Sequence, residues 1–288
     1  MDRLNMLYTS NNEQDLIKFY NSFNNKDELI IWLKQRRMQE HSIKIFNEDK
    51  PKDLVAVILT KDINSKFALR IRELFNDIPI IFNDTKSDIW NFAQSVNYAY
   101  KIAIKQFNPK WIIICNDDIA EAEPIQKLKQ QLDKVVDKEL VLVKHNHSNT
   151  IHFAKPSLIR KALMKMGKMD KEITEIYSKL NVEIMPIPNK RKIDILMYKS
   201  VSEKFENSSD FYIINRTFGV PYDDTFLNEA EDVDLSFRLK NNITQINYTI
   251  KCIGGGSLGT DRLRRLKSIA SLVYLNEKIR KGEYKDVR

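Results

Sequence analysis

Two groups of carboxylates stand out by residue type and spacing. The first is Asn116-Asp117-Asp118, reached at the end of the apolar run Trp111-Ile112-Ile113-Ile114-Cys115. Such a run fits a strand buried on both faces, and ligands of parallel sheets gather just beyond the carboxyl ends of the strands. Adjacent carboxylates repel each other unless a positive group, commonly a divalent cation, lies between them and an anionic ligand. The competing reading is an ordinary polar turn, for which Asn and Asp are good formers. The second group is denser. Between Tyr222 and Asp234 six acids fall within thirteen residues: Asp223, Asp224, Glu229, Glu231, Asp232 and Asp234. Acids suit the first turn of a helix, and Asp234 with Arg238 makes an i,i+4 pair. Val233, Leu235, Phe237 and Leu239 alternate as a strand would, so pattern alone leaves the element open. One of Glu231 and Asp232 could face a site and take a proton from a substrate.

Glycine and basic charge concentrate near the C-terminus. Gly254, Gly255, Gly256 and Gly259 are four of only seven glycines, which suggests a tight turn or a close approach to a ligand. The net charge is +8, and the last 38 residues alone carry +6. A basic end can serve nucleic acid, an anionic membrane surface or a phosphate-bearing small molecule. His145, His147 and His152 match no strong metal-ligand spacing, and a surface or acceptor-facing place is expected for them.

The elements that must position these groups follow from periodicity. Residues 1–50 read as two or three short helices ahead of a linker at Glu48–Lys52. Buried strands are expected at Leu54–Leu59, Ile78–Phe82, Trp111–Cys115 and Leu140–Val143, with a further one at Ile193–Met197. Helices are expected near Lys66–Phe75, Ile89–Gln106, Pro124–Val136, Pro156–Met166, Lys171–Leu180 and Asp261–Lys281. The last has an apolar stripe of Leu266, Ile269, Ala270 and Val273. Alternating strands and helices predict an α/β fold with a mostly parallel central sheet. Three regions are expected: a helical extension at 1–50, one α/β domain at 51–260 and a basic amphipathic helix at 261–288.

The ordered motifs resemble the inverting family 2 glycosyltransferases of the GT-A fold, especially rhamnosyltransferase-like members. The residues that carry this are Asn116-Asp117-Asp118, then Tyr222-Asp223-Asp224-Thr225-Phe226-Leu227, then Glu231-Asp232-Val233-Asp234-Leu235-Ser236-Phe237-Arg238-Leu239. Thr60-Lys61-Asp62, Asn83-Asp84-Thr85-Lys86-Ser87-Asp88 and Phe92-Ala93 with Asn97 fit the family pattern more loosely. The resemblance covers residues 53–275. It implies transfer of a sugar from a nucleotide-diphosphate sugar to a hydroxyl of a glycan, a lipid-linked molecule or a protein. Asp118 would bind Mn²⁺ or Mg²⁺ on the diphosphate, with Asp117 assisting or touching the ribose. Asp232 would be the general base, with Glu231 the second choice. Thr60, Asp62 and Asp84 would line the nucleoside pocket, and Asn97, Gly255 and Ser257 would also lie on the donor side. In Lys251-Cys252-Ile253-Gly254-Gly255-Gly256-Ser257, Cys252 stands where the family often has His. A thiol is a poor ligand for these ions. Arg262 or Arg265 could then supplement the charge opposite the diphosphate.

Composition narrows the alternatives. Hydrophobic content of 42% with 30% charged residues describes a globular chain with a sizeable core. No segment approaches the roughly 18 apolar residues of a membrane span. Two cysteines and no export pattern lead to the expectation of a cytoplasmic protein, with peripheral contact at a membrane as one use of the basic end. A sugar-phosphate nucleotidyltransferase would want a glycine-rich basic loop after the first strand, and Thr60–Lys66 holds no glycine. A nucleic-acid-binding protein is the distant third reading, since no recognised motif accompanies the charge.

Overall fold

A computed structural model of the chain describes residues 3–8, 10–37, 40–85, 91–145, 150–188, 196–201, 205–206, 211–253 and 261–284. In chain order the helices are α1 (Arg3–Tyr8), α2 (Glu13–Asn21), α3 (Lys26–Gln35), α4 (Lys66–Leu74), α5 (Phe92–Phe107), α6 (Ile125–Leu132), α7 (Leu158–Lys165), α8 (Lys171–Lys179), α9 (Glu231–Arg238) and α10 (Asp261–Lys281). The strands are β1 (Ser42–Phe46), β2 (Leu54–Thr60), β3 (Ile80–Asp84), β4 (Trp111–Asn116), β5 (Ile119–Ala122), β6 (Leu140–Lys144), β7 (Thr150–Pro156), β8 (Met185–Pro188), β9 (Tyr198–Ser200), β10 (Phe205–Glu206), β11 (Phe211–Asn215) and β12 (Ile243–Cys252).

An eight-stranded sheet runs in the order β1-β3-β2-β4-β11-β6-β12-β5. β3, β2 and β4 are mutually parallel, as their continuous apolar runs require. The expected mostly parallel sheet is corrected to a mixed one. β11 inserts antiparallel between β4 and β6, and β1 and β5 close the two edges antiparallel. A second, small sheet pairs β7 with β8, β9 and β10. The expected strand at Ile193–Met197 falls mostly outside the described residues, and β9 follows it.

Period-two alternation splits the large sheet into two apolar faces. Val55, Val57, Ile112, Ile114, Tyr212 and Ile214 point to one side, where α1–α3, α5, α8, α9 and α10 cover them. Ala56, Ile58, Ile113, Cys115, Phe211 and Ile213 point to the other, under α4 and α6. Burying each of these isoleucines contributes about 1.5–3 kcal/mol.

The first 50 residues do more than extend the domain. β1 is an edge strand of the large sheet, and α2 packs against α10 through the Tyr20 hydroxyl, which donates to the Leu266 carbonyl at 2.6 Å. α10 spans the predicted residues, but the amphipathic reading is corrected. Leu263, Leu266–Leu275 and Ile279 are all buried, with α1–α3 on one flank and the sheet on the other. A helix apolar only along Leu266, Ile269, Ala270 and Val273 would leave a face for a membrane surface. This one is buried all round from Leu266 to Ile279, with Arg264, Arg265, Arg280 and Lys281 exposed towards its ends. Among the described residues no helix is long and apolar enough to cross a membrane.

Candidate functional site

The carboxyl ends of β2, β3 and β4 lie side by side, with Thr60 in register with Asp84 and Leu59 with Asn116. The Thr60 hydroxyl donates to Asp117 Oδ2 at 2.6 Å, and the Asp62 amide donates to Thr60 Oγ1 at 3.3 Å. The Thr85 amide and hydroxyl both donate to the Thr60 carbonyl, at 2.9 and 3.0 Å. Burial pushes the Asp117 carboxyl above its ordinary range, opposed by the Thr60 hydroxyl, its own amide and the Lys61 charge. The far end of the sheet also reaches this turn. Cys252 of β12 pairs with Ile119 of β5, and the Ile253 amide donates to the Asp118 carbonyl at 2.9 Å. The structure thus gathers Thr60, Asp84, Asp117, Asp118 and Cys252, while Asp62 is exposed, its Oδ1 accepting from the Asn64 amide. Gly255 and Ser257 lie outside the described residues.

The second acidic group forms the turn before α9 and the helix itself, so the helical alternative holds over the strand. Glu229 and Ala230 have φ of 100° and 68°, two consecutive non-glycine residues in the left-handed region. Such backbone costs about 1–3 kcal/mol each and persists only where surroundings hold it. Here Arg264 Nε donates to Glu229 Oε1 at 2.9 Å. The buried Arg36 also caps the preceding loop, donating to the Thr225 and Phe226 carbonyls at 3.0 and 2.8 Å and to that of Asp224.

Four of the six acids are engaged structurally. Asp223 accepts from Tyr274 and Lys278, Asp224 from Asn97, Glu229 from Arg264, and the fully buried Asp234 from Lys278, Arg238 and Tyr284. This corrects Asn97, whose amide serves Tyr222 and Asp224: its Nδ2 donates to the Tyr222 carbonyl and its Oδ1 accepts the Tyr222 amide. Glu231 and Asp232 stand on the first turn of α9. Glu231 is 6% exposed, and its Oε2 has no hydrogen-bond partner among the described residues. Burial, and then the Asp232 charge, raise its carboxyl well above the glutamate range. Asp232 is half-buried, and its Oδ1 takes the Val233 amide at 2.7 Å.

The raised Glu231 pKa sets a sign for stability. Below the ordinary glutamate pKa both folded and unfolded chains hold the proton, and that contribution is fully present. As pH rises the unfolded chain ionises first, and stability falls until the folded pKa is passed. Glu231→Gln is therefore expected to raise the melting temperature by a few degrees at pH 8 and to change it little at pH 4. Thermal melts across that range check this, and a rise equal at both ends would refute it.

The basic residues of α10 are distributed differently from the expectation. Arg262 is corrected from a diphosphate contact to a structural hub. Its guanidinium is shared among Glu13 of α2, Asp170 at 2.6 Å and Glu172 of α8 at 2.8 Å. Lys267 of α10 is a buried cation that feels the Lys61 charge. It is 3% exposed, and burial together with the Lys61 charge lowers its pKa. Lys61 acts in turn on Asp117. Arg264 and Lys267 are one helical turn apart, about 4.5 Å of rise. This stretch of α10 therefore carries Arg264, which reaches the turn before Glu231, and Lys267, which lies in the field of Lys61. Sequence showed a run of cations there, but only the helical phase distinguishes Lys267 from Arg262.

No protein-family model matches the chain, and no curated protein shows significant similarity to it. Among solved structures it is similar to A197 from STIV, with 12% identity over 69% of this chain and 81% of that one and a TM-score of 0.36. That likeness is too slight to bear on function.

Among the described residues no three His, Cys, Asp or Glu side chains gather as a metal cage. Asp117 and Asp118 offer at most two carboxylates, and Cys252 is a buried thiol. Two carboxylates would suit Mg²⁺ or Mn²⁺ only if oxygens from another molecule supplied the remaining ligands. They do not fit an ion held by protein ligands alone.

Proposed function

We propose that this chain is a glycosyltransferase of the GT-A type, moving a sugar from a nucleotide-diphosphate sugar to an acceptor hydroxyl with inversion. The observation that carries the reading is the juxtaposition along α10. Thr60 holds Asp117 at the strand ends, and α10 carries Arg264, which holds the turn presenting Glu231 and Asp232, and Lys267, which feels the charge of Lys61. Leaving-group chemistry and proton removal need such neighbouring places, one cationic and one carboxylate.

In this mechanism Asp232 accepts the proton of the acceptor hydroxyl as its oxygen forms the new bond to the anomeric carbon. The bond from that carbon to the diphosphate breaks on the opposite side, and the diphosphate leaves with the electron pair. A divalent cation on Asp118 would neutralise charge growing there. Lys61 and Lys267 add positive charge at the same end, which offsets the absence of a histidine at position 252. Burial, and then the Asp232 charge, raise the Glu231 carboxyl, which favours its uncharged form beside Asp232. No covalent enzyme intermediate is required.

The test is a panel of UDP, GDP and dTDP, each with and without Mn²⁺ or Mg²⁺, read as melting temperature. A nucleotide present at 100 times its Kd stabilises by about 2.7 kcal/mol. For a chain of this size that is a rise of roughly 5 °C or more. A panel in which no nucleotide moves the melt, with or without metal, would overturn the proposal.

A further inference from the structure

The small sheet carries α7, a helix held from one side and open on the other. The buried Arg160 guanidinium stacks on the Tyr198 ring of β9 at 4.3 Å, which fixes the inner side. Ser157 caps the start, its hydroxyl oxygen accepting the Arg160 amide at 3.2 Å and donating to the Leu196 carbonyl at 2.6 Å. That brings Leu196 to the first turn. Around the helix axis Leu158, Ala162, Met166 and Ile159 fall within an arc of about 100°, with Arg160 on the reverse. The arc faces water. Leu158 is 83% exposed, Ile159 51%, Met166 61% and Leu196 59%, and Ala162 is exposed as well.

Single exposed apolar residues are ordinary, but large ones gathered on one helix face and the turn beside it mark a contact surface. The charge around this face has one sign. From Ser157 to Met169 the chain holds Arg160, Lys161, Lys165 and Lys168 and no acid. Lys161 and Lys165 are exposed and border the apolar arc, and Lys168 is exposed just past the helix. Lysine stems lie along an apolar layer while their ammonium groups stay at its polar boundary. Leucine, isoleucine and methionine on one arc with lysine at its border suit a helix lying in the interface of an anionic bilayer. We propose that α7, with Leu196, docks this protein on the surface of a membrane containing anionic lipids.

The docking element is thus α7 and not the basic C-terminal helix, whose middle is buried in the core. On the glycosyltransferase reading, such a membrane would carry a lipid-linked acceptor. That assignment rests on the reading, whereas the docking does not.

The experiment is cosedimentation of the full chain with vesicles of phosphatidylglycerol and phosphatidylcholine in equal parts, against phosphatidylcholine alone. Retention about tenfold greater on the anionic vesicles is expected. Leu158→Ser with Met166→Ser should weaken it about tenfold or more, and Lys161→Gln with Lys165→Gln severalfold. These side chains are exposed, so melting temperatures should barely move. Ile159→Ser, expected to weaken retention severalfold, serves if the double variant melts early. Ile31→Ser on α3, an equally exposed apolar position elsewhere, should change nothing. No retention on the anionic vesicles would overturn the proposal. So would retention indifferent to Leu158 and Met166, or lost equally in Ile31→Ser. A dimer in sedimentation velocity that Leu158→Ser with Met166→Ser returns to monomer, without vesicle binding, would also overturn it and make the face a contact between copies. No nucleotide is used, so this result is independent of the melting panel.

Discussion

Asp232→Asn is expected to lower sugar transfer by about 10²–10⁴-fold, the range for loss of a general base. The fold should hardly notice. Asp232 is half-buried, and its Oδ1 accepts the Val233 amide at 2.7 Å, a contact that the asparagine oxygen retains. The lost charge at the start of α9 costs only about 0.3–1 kcal/mol through the helix dipole. The effect should fall on kcat, with the donor's KM little changed, because the proposed nucleotide end would be Thr60, Lys61 and Asp117, away from this helix turn. Initial rates of nucleotide release in the presence of acceptor, paired with a melt, measure both quantities. The neighbouring Glu231→Gln discriminates between the two carboxylates. If that variant loses transfer and Asp232→Asn keeps more than a tenth of it, the base is Glu231.

The legible parts of the fold were those in which sequence pattern and burial coincide. β2, β4 and β6 are covered on both faces, so they read as unbroken apolar runs. β11 was not legible, because Phe211-Tyr212-Ile213-Ile214-Asn215 is too short to tell from a piece of buried helix. Its antiparallel insertion between β4 and β6 is what makes the sheet mixed. β12 does alternate, with Ile246, Tyr248, Ile250 and Cys252 inward, yet its strand character is diluted by Asn247, Thr249 and Lys251 on the exposed face. At the site, the grouping of Thr60 with Asp117 follows from parallel neighbours ending together. The partners of Arg262 could not be foreseen, since Glu13 lies 249 positions away and is brought there by packing of α2 on α10. Asn97 illustrates the same limit from the other side. A polar residue in a helix expected to face a ligand proves to be the buried clamp on Tyr222 and Asp224.

Lys278→Ala is expected to destabilise the fold by about 3–5 kcal/mol, the cost of stranding buried charge. Lys278 is 5% exposed and bridges Asp223 at 3.0 Å and Asp234 at 2.7 Å, while the rings of Phe226, Tyr274 and Tyr284 surround it within 6 Å. Burial alone would lower its pKa, but Asp234 and Asp223 outweigh this and raise it. Removing the ammonium leaves Asp234, which has no exposure at all, with Arg238 as its remaining cation. Urea denaturation measures the loss. The exposed Lys251–Glu121 pair supplies the contrast, since Lys251→Ala should change stability by under about 1 kcal/mol. A double variant tests whether the cost comes from stranded charge or from lost volume. Asp234→Asn with Lys278→Met removes both charges and keeps most of the bulk, so it should recover more than half of the loss. Recovery would mean that these ions fix where α9 sits on α10, and so where Asp232 points, more than they add to stability. If the double variant is as unstable as Lys278→Ala, packing around the lysine stem is the larger contribution, and the alignment of α9 rests on Arg36 and Arg264 instead.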